Sequence, residues 1–562
     1  MDCGEVVVEV LSKFGCRYVF GIPGVHNLEI YRALLNKEGV KHVLAKHEGN
    51  AGVMADVYGR LVGEPGILLT IAGPGATNCV TAIAQAYASA SPVIHISGDV
   101  PTRAYEWPLH GLNSSDFLVN VFKPVTKWAT RIESVGDIVP TLIKAYEVST
   151  RGRMGPVHIS IPIDILRSEY RGQLHQIPKP ERWCVAGRID DGTVNRLLMS
   201  RRLVVYAGKD VARYQCEEEL LELCEVLRAP LIVHGRREGD EVVIPQDHPL
   251  YAGFVGGYTH PAALHALNSA DLLLTVGITL KGVEVECVKA FRSIECVHIV
   301  AEGYHTADKI IVGNPKETLK HLIERLKVSP RRGVDEHLLY QISQIKKEVS
   351  EKIRGEIESH ENNKPLHPGV VAKILSSVFT NNSILTVDCG LSTFWFRDVY
   401  PIRCVRGMIS AGGYAAMGFS LPAAIAAKFV YPDKNVIAIT GDGGLLMSYA
   451  DLPTLIENNL NIVVVVLNDS KYGQVWQLQK GRFGGKTIAT DLQPTDFATI
   501  FSACGGTGIR VETVEEAKKA FEEASTSKKP TLIDIKTDPS YSAPGVNLYH
   551  QNPKLLIGMV NK

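Results

Sequence analysis

The sequence predicts an α/β protein: three doubly wound parallel sheets, one in each of three successive domains. Three observations carry that prediction. Short continuous apolar runs of strand length alternate with longer segments of helical periodicity, the pattern of parallel strands covered on both faces by helices. Glycine and proline gather directly after such runs, as at Gly21-Ile22-Pro23-Gly24 and Ala72-Gly73-Pro74-Gly75, where strands of an open sheet turn into helices and where such sheets bind ligands. The chain has 562 residues, too many for one ordinary domain and suited to about three or four.

In the first domain, residues 1–172, Arg17 to Gly21 reads as a strand, Asn27 to Leu35 as a helix, Val40 to Leu44 as a strand and Glu48 to Val62 as a helix. Gly66 to Ile71 (strand), Ala76 to Ala88 (helix) and Pro92 to Ser97 (strand) continue the alternation. Pro178-Lys179-Pro180 marks a linker, because its prolines cannot continue regular structure. The second domain, 184–328, has strands at Leu203 to Tyr206, Pro230 to Val233, Asp271 to Val276 and Val297 to Val300. Ser329 to Asn363 is charge-rich and weakly periodic, a surface helix plus linker. The third domain, 366–545, repeats the alternation with strands at Ser383 to Val387, Asn435 to Thr440, Ile462 to Leu467 and Thr531 to Lys536. The first and third domains share a strand–glycine–helix rhythm.

Composition excludes several classes. Lys plus Arg and Asp plus Glu are 60 each, so the surplus of positive charge that a nucleic-acid binder uses to release counterions is missing. The longest apolar runs have strand length, far below the ~20 residues of a membrane span. No basic start precedes an apolar stretch at the N-terminus, which argues against a secretory signal. Eleven cysteines without pairing rhythm or a C-x-x-C speak against a disulfide scaffold and a structural zinc, so a reduced, cytoplasmic setting is expected.

The chemistry is densest in the third domain. Gly441-Asp442-Gly443-Gly444 follows a strand and is expected to open a helix near Tyr449. Glycines there let backbone N–H groups approach a phosphate at a helix N-terminus. A carboxylate beside a bare phosphate would repel it, unless a divalent cation lies between them. The next apolar strand ends in Asn468-Asp469, twenty-seven residues after Asp442, so two neighbouring strands present two acidic residues at one sheet edge. Hard oxygen ligands with room for phosphate and water are what Mg²⁺ demands. A helix-capping Asp would explain Asp442 alone; the second acidic strand end at this spacing favours the metal.

This pattern, Gly-Asp-Gly followed after about two dozen residues by Asn-Asp and continuing into Lys471-Tyr472-Gly473, resembles the thiamine diphosphate enzymes of the acetolactate synthase, pyruvate decarboxylase and benzaldehyde lyase type. The resemblance extends over nearly the whole chain and is closest to acetolactate synthase large subunit-like proteins. It implies that Asp442 and Asp469 ligate the metal with the Lys471 carbonyl, and that Gly443, Gly444, Tyr472 and Gly473 line the cofactor. Asp469 stands where many members carry Asn. His47-Glu48 before an Ala-rich helix matches the family's cofactor-activating glutamate, which exchanges a proton with the pyrimidine N1′ so that the C2 proton of the thiazolium can leave. A first-turn carboxylate favoured by the helix dipole is the bland alternative for Glu48. Gly73 lies in the family's turn beside the active site. Gly390, Leu391 and Ser392 match its diphosphate-contacting turn, and Met417 the bulky residue that bends the cofactor.

His26 aligns with a proton-transfer histidine of benzaldehyde lyase-like enzymes, against a surface residue at a helix start; His110 is a weaker candidate for the substrate pocket. Lys480 and Arg482, on a glycine-containing segment, read as a charged surface loop in preference to a site for a substrate carboxylate. FAD, bound by biosynthetic acetolactate synthases across the middle domain, is expected to be absent, because Gly277-Ile278-Thr279-Leu280-Lys281-Gly282 offers one cation and no paired Asp where they carry Arg-Phe-Asp-Asp-Arg. Gly73-x-Gly75 lacks the third glycine of a dinucleotide fingerprint, against NAD chemistry.

The resemblance thus implies a Mg²⁺-dependent enzyme that decarboxylates a pyruvate-like 2-oxo acid through an enamine and transfers the product to a second carbonyl, as acetolactate synthase does. Simple 2-oxo acid decarboxylation, or carboligation of the benzaldehyde lyase or 2-hydroxyacyl-CoA lyase kind, is the alternative; His26 favours the lyase. A non-catalytic homologue would be expected to lose Glu48 or a metal ligand, and all three carboxylates are present. In the family the pyrimidine end is held by one subunit and the diphosphate end by its partner. The resemblance therefore implies at least a homodimer, and a homotetramer in many members, with active sites at the subunit interface and no nucleic-acid or membrane partner.

Overall fold

The structure is a computed structural model and describes residues 1–104, 106–174, 177, 180–235, 244–256, 259–278, 294–303, 307–329, 331, 333–380 and 382–543. Packing divides the chain into two compact units. One is Met1–Trp183 with Ile425–Val430 and Ser448–Glu457; the other is Cys184–Ala424, Tyr431–Met447 and the residues from Asn458 on.

The first unit holds a six-stranded parallel sheet of β1 (Tyr18–Gly21), β2 (Lys41–Leu44), β3 (Gly66–Thr70), β4 (Val93–Asp99), β5 (Trp128–Arg131) and β6 (Pro156–Pro162), in the order β2-β1-β3-β4-β6-β5. β3, β4 and β6 are buried along their whole length, as their unbroken apolar runs require. The helix Glu48–Val62 is capped by His47, whose ring accepts from the Gly49 N–H, and ends at Gly63, whose left-handed φ of 66° closes the last turn. It is so deeply packed that Asp56 and Arg60, one turn apart and both fully buried, pair with each other at 2.6 Å.

The second unit holds two sheets. β7 (Leu203–Ala207), β8 (Leu231–His234), β9 (Tyr251–Val255), β10 (Leu272–Val276), β11 (Glu295–Val300) and β12 (Lys309–Val312) run β12-β11-β10-β7-β8-β9. β13 (Ser383–Val387), β14 (Met408–Ser410), β15 (Asn435–Gly441), β16 (Ile462–Asn468), β17 (Thr507–Val511) and β18 (Thr531–Lys536) run β14-β13-β15-β16-β18-β17. The last order repeats that of the first sheet strand for strand, the structural form of the rhythm shared by the two ends of the sequence. In both, the order reverses between the first and third strands, the place at whose carboxyl ends such sheets bind ligands.

Several elements differ from the sequence reading. The helix expected from Ala76 to Ala88 is two pieces, Pro74–Asn78 and Val80–Ala88, broken where the Cys79 thiol donates to the Ala76 carbonyl. The helix expected near Tyr449 starts seven residues earlier: Asp442–Leu445 springs directly from β15, and a 3₁₀ turn, Tyr449–Asp451, leads into Leu452–Glu457. A further helix, Cys3–Lys13, precedes β1; its Asp2–Glu5 capping box is a start signal the sequence does carry. Ser329 to Asn363 contains the helix Glu336–Ser359. Pro178 and Lys179 of the expected linker, and Thr279 to Gly282 of the flavin comparison, lie outside the described residues. Among the described residues no helix is long and apolar enough to cross a membrane, and the described cysteines are all free.

Candidate active site

In the second unit a cavity of about 240 Å³ opens at the carboxyl ends of β13, β15 and β16. Asp442 and Asp469 line it together with Gly443, Gly444, Lys471, Tyr472 and Gly473 from the β15 and β16 ends. Gly390 and Leu391 after β13, and Met417 from the loop beyond β14, line it as well. Ser392 belongs to the helix Leu391–Val399, and its side chain is not among those described.

The backbone is shaped to this cleft. Gly390 adopts φ 129°, ψ −158°, a region open essentially to glycine alone. A Cβ on Gly443 would stand 2.7 Å from the Tyr472 ring, and one on Gly473 would stand 2.7 Å from Asp469 Oδ2. Asp442 accepts from the Gly443 N–H at 2.8 Å, and Asp469 from the Lys471 N–H at 3.0 Å. Burial pushes the Asp442 carboxyl up to about 6. Burial first, and the Asp442 charge second, push Asp469 up to about 8. Two neighbouring acidic groups, both raised by burial and one raised further by the other's charge, suit a cation placed between them.

Asp388, two residues before Gly390, is the knot beneath the cleft. Its buried carboxylate accepts from Cys389 N–H at 2.8 Å, Gly418 N–H at 3.0 Å and Thr440 Oγ1 at 3.1 Å. It so ties together the Gly390 turn, the Met417 loop and the end of β15. A polar residue at a strand end of apolar composition was the only sequence signal for it. Lys480, at the exposed end of the helix Gly473–Arg482, lies over the Trp476 ring at 4.4 Å, in keeping with a surface role.

The first unit gathers the other predicted residues at the carboxyl ends of β1 to β4. Glu48 opens its helix, is largely buried and accepts from Asn78 Nδ2 at 3.0 Å. Asn78 ends the short helix that begins after Gly73. Gly73 itself has φ 60°, and a Cβ there would lie 2.4 Å from the His110 carbonyl oxygen. His26 is buried, not solvent-exposed, and its ring lies 5.4 Å from that of His110. The Nδ1 atoms of both rings are buried without a hydrogen-bond partner among the described atoms. Burial, then His110 and Arg167, hold the His26 imidazole below its usual range and therefore neutral.

Among the described residues no group of three or more His, Cys, Asp and Glu side chains is arranged to hold a metal. Asp442 and Asp469 with one backbone carbonyl nevertheless fit Mg²⁺, which keeps several positions for phosphate and water. The glycine-lined floor beside them fits the diphosphate that would complete its shell.

The two cradles carry a common signature. The N-terminal thiamine pyrophosphate-binding domain of the thiamine pyrophosphate enzymes matches residues 1–119, their central domain matches 191–322, and their C-terminal thiamine pyrophosphate-binding domain matches 388–535. The chain belongs to this family of thiamine pyrophosphate (thiamine diphosphate) enzymes. It is similar to the probable acetolactate synthase large subunit of Methanocaldococcus jannaschii, with 32% identity covering 97% of this chain and 93% of that protein. It is also similar to acetolactate synthase isozyme 3 large subunit of Escherichia coli, at 29% identity over 95% of each chain. The acetolactate synthase large subunit of Haemophilus influenzae shares 28% identity over 95% of this chain and 94% of that protein.

Proposed function

We propose that this enzyme is an acetolactate synthase-like carboligase: it decarboxylates a pyruvate-like 2-oxo acid and joins the remaining acyl unit to a second carbonyl. The observation that carries the reading is the presence of Asp442 and Asp469 at neighbouring strand ends lining one cleft, and of Glu48 at the head of its helix, in a chain collinear with acetolactate synthase large subunits. Bound thiamine diphosphate supplies an electron sink for the carbanion left by decarboxylation. Asp442, Asp469 and the Lys471 carbonyl would hold Mg²⁺, and the N–H groups of Gly443 and Gly444 would face the diphosphate. Met417 would prop the cofactor from the lip of the cleft. Glu48, held by Asn78, would pass a proton to and from the pyrimidine N1′. Its removal from water strengthens that hydrogen bond.

We read the assembly as a homodimer at least, and a homotetramer by the same resemblance, with active sites at subunit interfaces in the cytoplasm. Flavin is expected to play no part. Incubating the protein with pyruvate, thiamine diphosphate and Mg²⁺ tests the reading. Carbon dioxide and a carboligation product identified by mass spectrometry are expected, with no flavin colour in the protein and no change of rate on adding FAD. Absence of carbon dioxide across a panel of 2-oxo acids would overturn it. Buried His26, beside the half-buried His110, favours a second reading, cleavage or formation of 2-hydroxy ketones, which the same mass spectra read out from a hydroxy-ketone panel.

A further inference from the structure

The turn that carries Glu48 is gripped from a distant part of the sequence. Asp451, fully buried in the 3₁₀ turn Tyr449–Asp451, belongs to the same compact unit as Glu48. Its Oδ1 accepts from the Lys46 N–H at 2.9 Å, and its Oδ2 accepts from Asn50 Nδ2 at 2.5 Å. The two donors flank Glu48, two residues before it and two after. Thr454, one helical turn on, places its hydroxyl 3.0 Å from Asp451 Oδ1 and 3.3 Å from the Leu44 carbonyl, within reach of both. Lys46 Nζ meets Glu457 at 2.6 Å on the outer side. The end of β2, the connecting turn and the first helical turn are therefore each fastened to residues 451–457, and Glu48 sits in the middle of the fastened stretch.

We propose that Asp451 is a positioning residue for Glu48, fixing the strand-to-helix turn so that the Glu48 carboxyl meets the cofactor pyrimidine in register. This rests on the proton-exchange role proposed for Glu48. The physical reason is the donor set: a backbone N–H and a side-chain amide, both directed at one buried carboxylate, lose their partner together if it is removed. A shift of the helix start by a fraction of an ångström would carry Glu48 with it.

The arrangement allows an exchange test. In Asp451→Asn one carboxylate oxygen becomes an amide NH₂, so a donor faces either Asn50 Nδ2 or the Lys46 N–H. In Asn50→Asp two carboxylates face each other in a buried space. In the double variant the amide introduced at 451 can donate to the carboxylate introduced at 50 and still accept from Lys46. Amide hydrogen exchange of the cofactor-free protein, read by mass spectrometry over residues 44–50, should accelerate in each single variant and return toward wild type in the double. With thiamine diphosphate and Mg²⁺ bound, C2 proton exchange read by NMR should slow about ten- to a hundredfold in the single variants and recover in the double. Cofactor affinity should stay near wild type throughout.

Wild-type C2 exchange in both single variants, or a double variant as slow as the singles, would overturn the proposal. If Asp451→Asn does not fold, Asn50→Asp and the double variant carry the comparison alone. Glu48→Gln in the same assay separates the two ideas. Normal C2 exchange there would overturn the role of Glu48 itself, whereas slow exchange there with normal exchange in Asp451→Asn would overturn only the positioning.

Discussion

Asp469 stands against Asp442 at the carboxyl ends of the neighbouring parallel strands β16 and β15, and the Asp442 charge is the second cause, after burial, that resists ionisation of Asp469. The pair is asymmetric: burial alone raises Asp442, up to about 6, whereas Asp469 also meets its neighbour's charge and goes up to about 8. Asp442→Ala should therefore abolish both Mg²⁺ and thiamine diphosphate binding, because the diphosphate loses its strongest bridge to the protein. Asp469→Asn should keep substantial binding, since an amide oxygen replaces a carboxylate oxygen. Thiamine diphosphate titrations with and without Mg²⁺ check this; equal affinity in the two conditions would remove the metal assignment.

Gly473 gives a milder test of the same site. A Cβ there would stand 2.7 Å from Asp469 Oδ2 and 3.2 Å from Leu391 Cδ1, so Gly473→Ala must displace the ligand or its neighbour. Both are ends of flexible side chains that can turn aside in the cofactor-free protein, so the loss falls on the placing of the ligand, where such disturbance costs about 10–100-fold in metal affinity. Mg²⁺-dependent cofactor binding should weaken about ten- to a hundredfold by calorimetry, with the thermal midpoint of the cofactor-free protein little changed.

Stability of the first unit depends on Asp56 and Arg60, which are fully buried within the Glu48–Val62 helix, with Arg60 also donating to Ser89 at 2.9 Å. Removing one partner strands the other charge away from water. Asp56→Ala should lower unfolding stability by about 3–5 kcal/mol, more than the double replacement by apolar residues of similar volume. Denaturant midpoints of the three proteins decide it.

Legibility follows unbroken apolar runs inside the sheets, with β2 as a sheet edge that was read all the same. β3, β13, β15, β16 and β18 read clearly from sequence because both faces are covered and their apolar runs are unbroken. β5, β9, β12, β14 and β17 escaped the reading, and every one is a sheet edge. β17 shows the cause: with one side open to solvent, Thr507–Val511 mixes Arg510 and Gly508 among its apolar residues and lacks a strand pattern. β6 is internal, yet prolines at both of its ends disguise it. In the candidate site, the meeting of Asp442 and Asp469 at one sheet edge was legible from two acidic strand ends, whereas Glu48 was singled out through the family resemblance. Asp388 and Asp451 were not legible, because each acts through contacts with parts of the chain far away in sequence.

The core of the first unit also carries a pH signal. His95 and His158 are fully buried and share a 2.9 Å Nδ1–Nδ1 hydrogen bond, with Thr70 and Ser160 on their outer nitrogens. Burial pushes His95 down to about 3 and His158 well below its ordinary range. Lowered folded-state values mean that the unfolded chain binds protons first as pH falls. The stabilisation is thus complete above about pH 6.5 and declines below it, by about 1.4 kcal/mol per pH unit for each imidazole. His158→Phe, which keeps a ring beside Phe122, should remove one imidazole's share of that slope. Thermal midpoints between about pH 7.5 and 5.5 measure it; identical slopes in the two proteins would show that the pair titrates normally.

Glu48 and His26 should separate cleanly by what each variant leaves intact. Glu48→Gln keeps the size of the side chain and a group that Asn78 can bond, but an amide cannot pass a proton to and from the pyrimidine N1′. Cofactor should still bind, while exchange of the C2 proton for deuterium slows by about 10²- to 10⁴-fold, the range for losing a general acid–base group. His26 occupies a different place, buried against His110 after β1, and burial keeps its imidazole neutral and able both to accept and to donate a proton. A role there lies with the substrate oxygen, so His26→Ala should leave C2 exchange near wild type and change turnover or the ratio of products. NMR exchange and product mass spectra are read on the same two variants. Normal C2 exchange in Glu48→Gln would reduce Glu48 to a first-turn carboxylate of its helix and end the proposed mechanism. An unchanged product spectrum in His26→Ala would take from the hydroxy-ketone reading its best residue, leaving acetolactate-type transfer or plain decarboxylation as the stronger account.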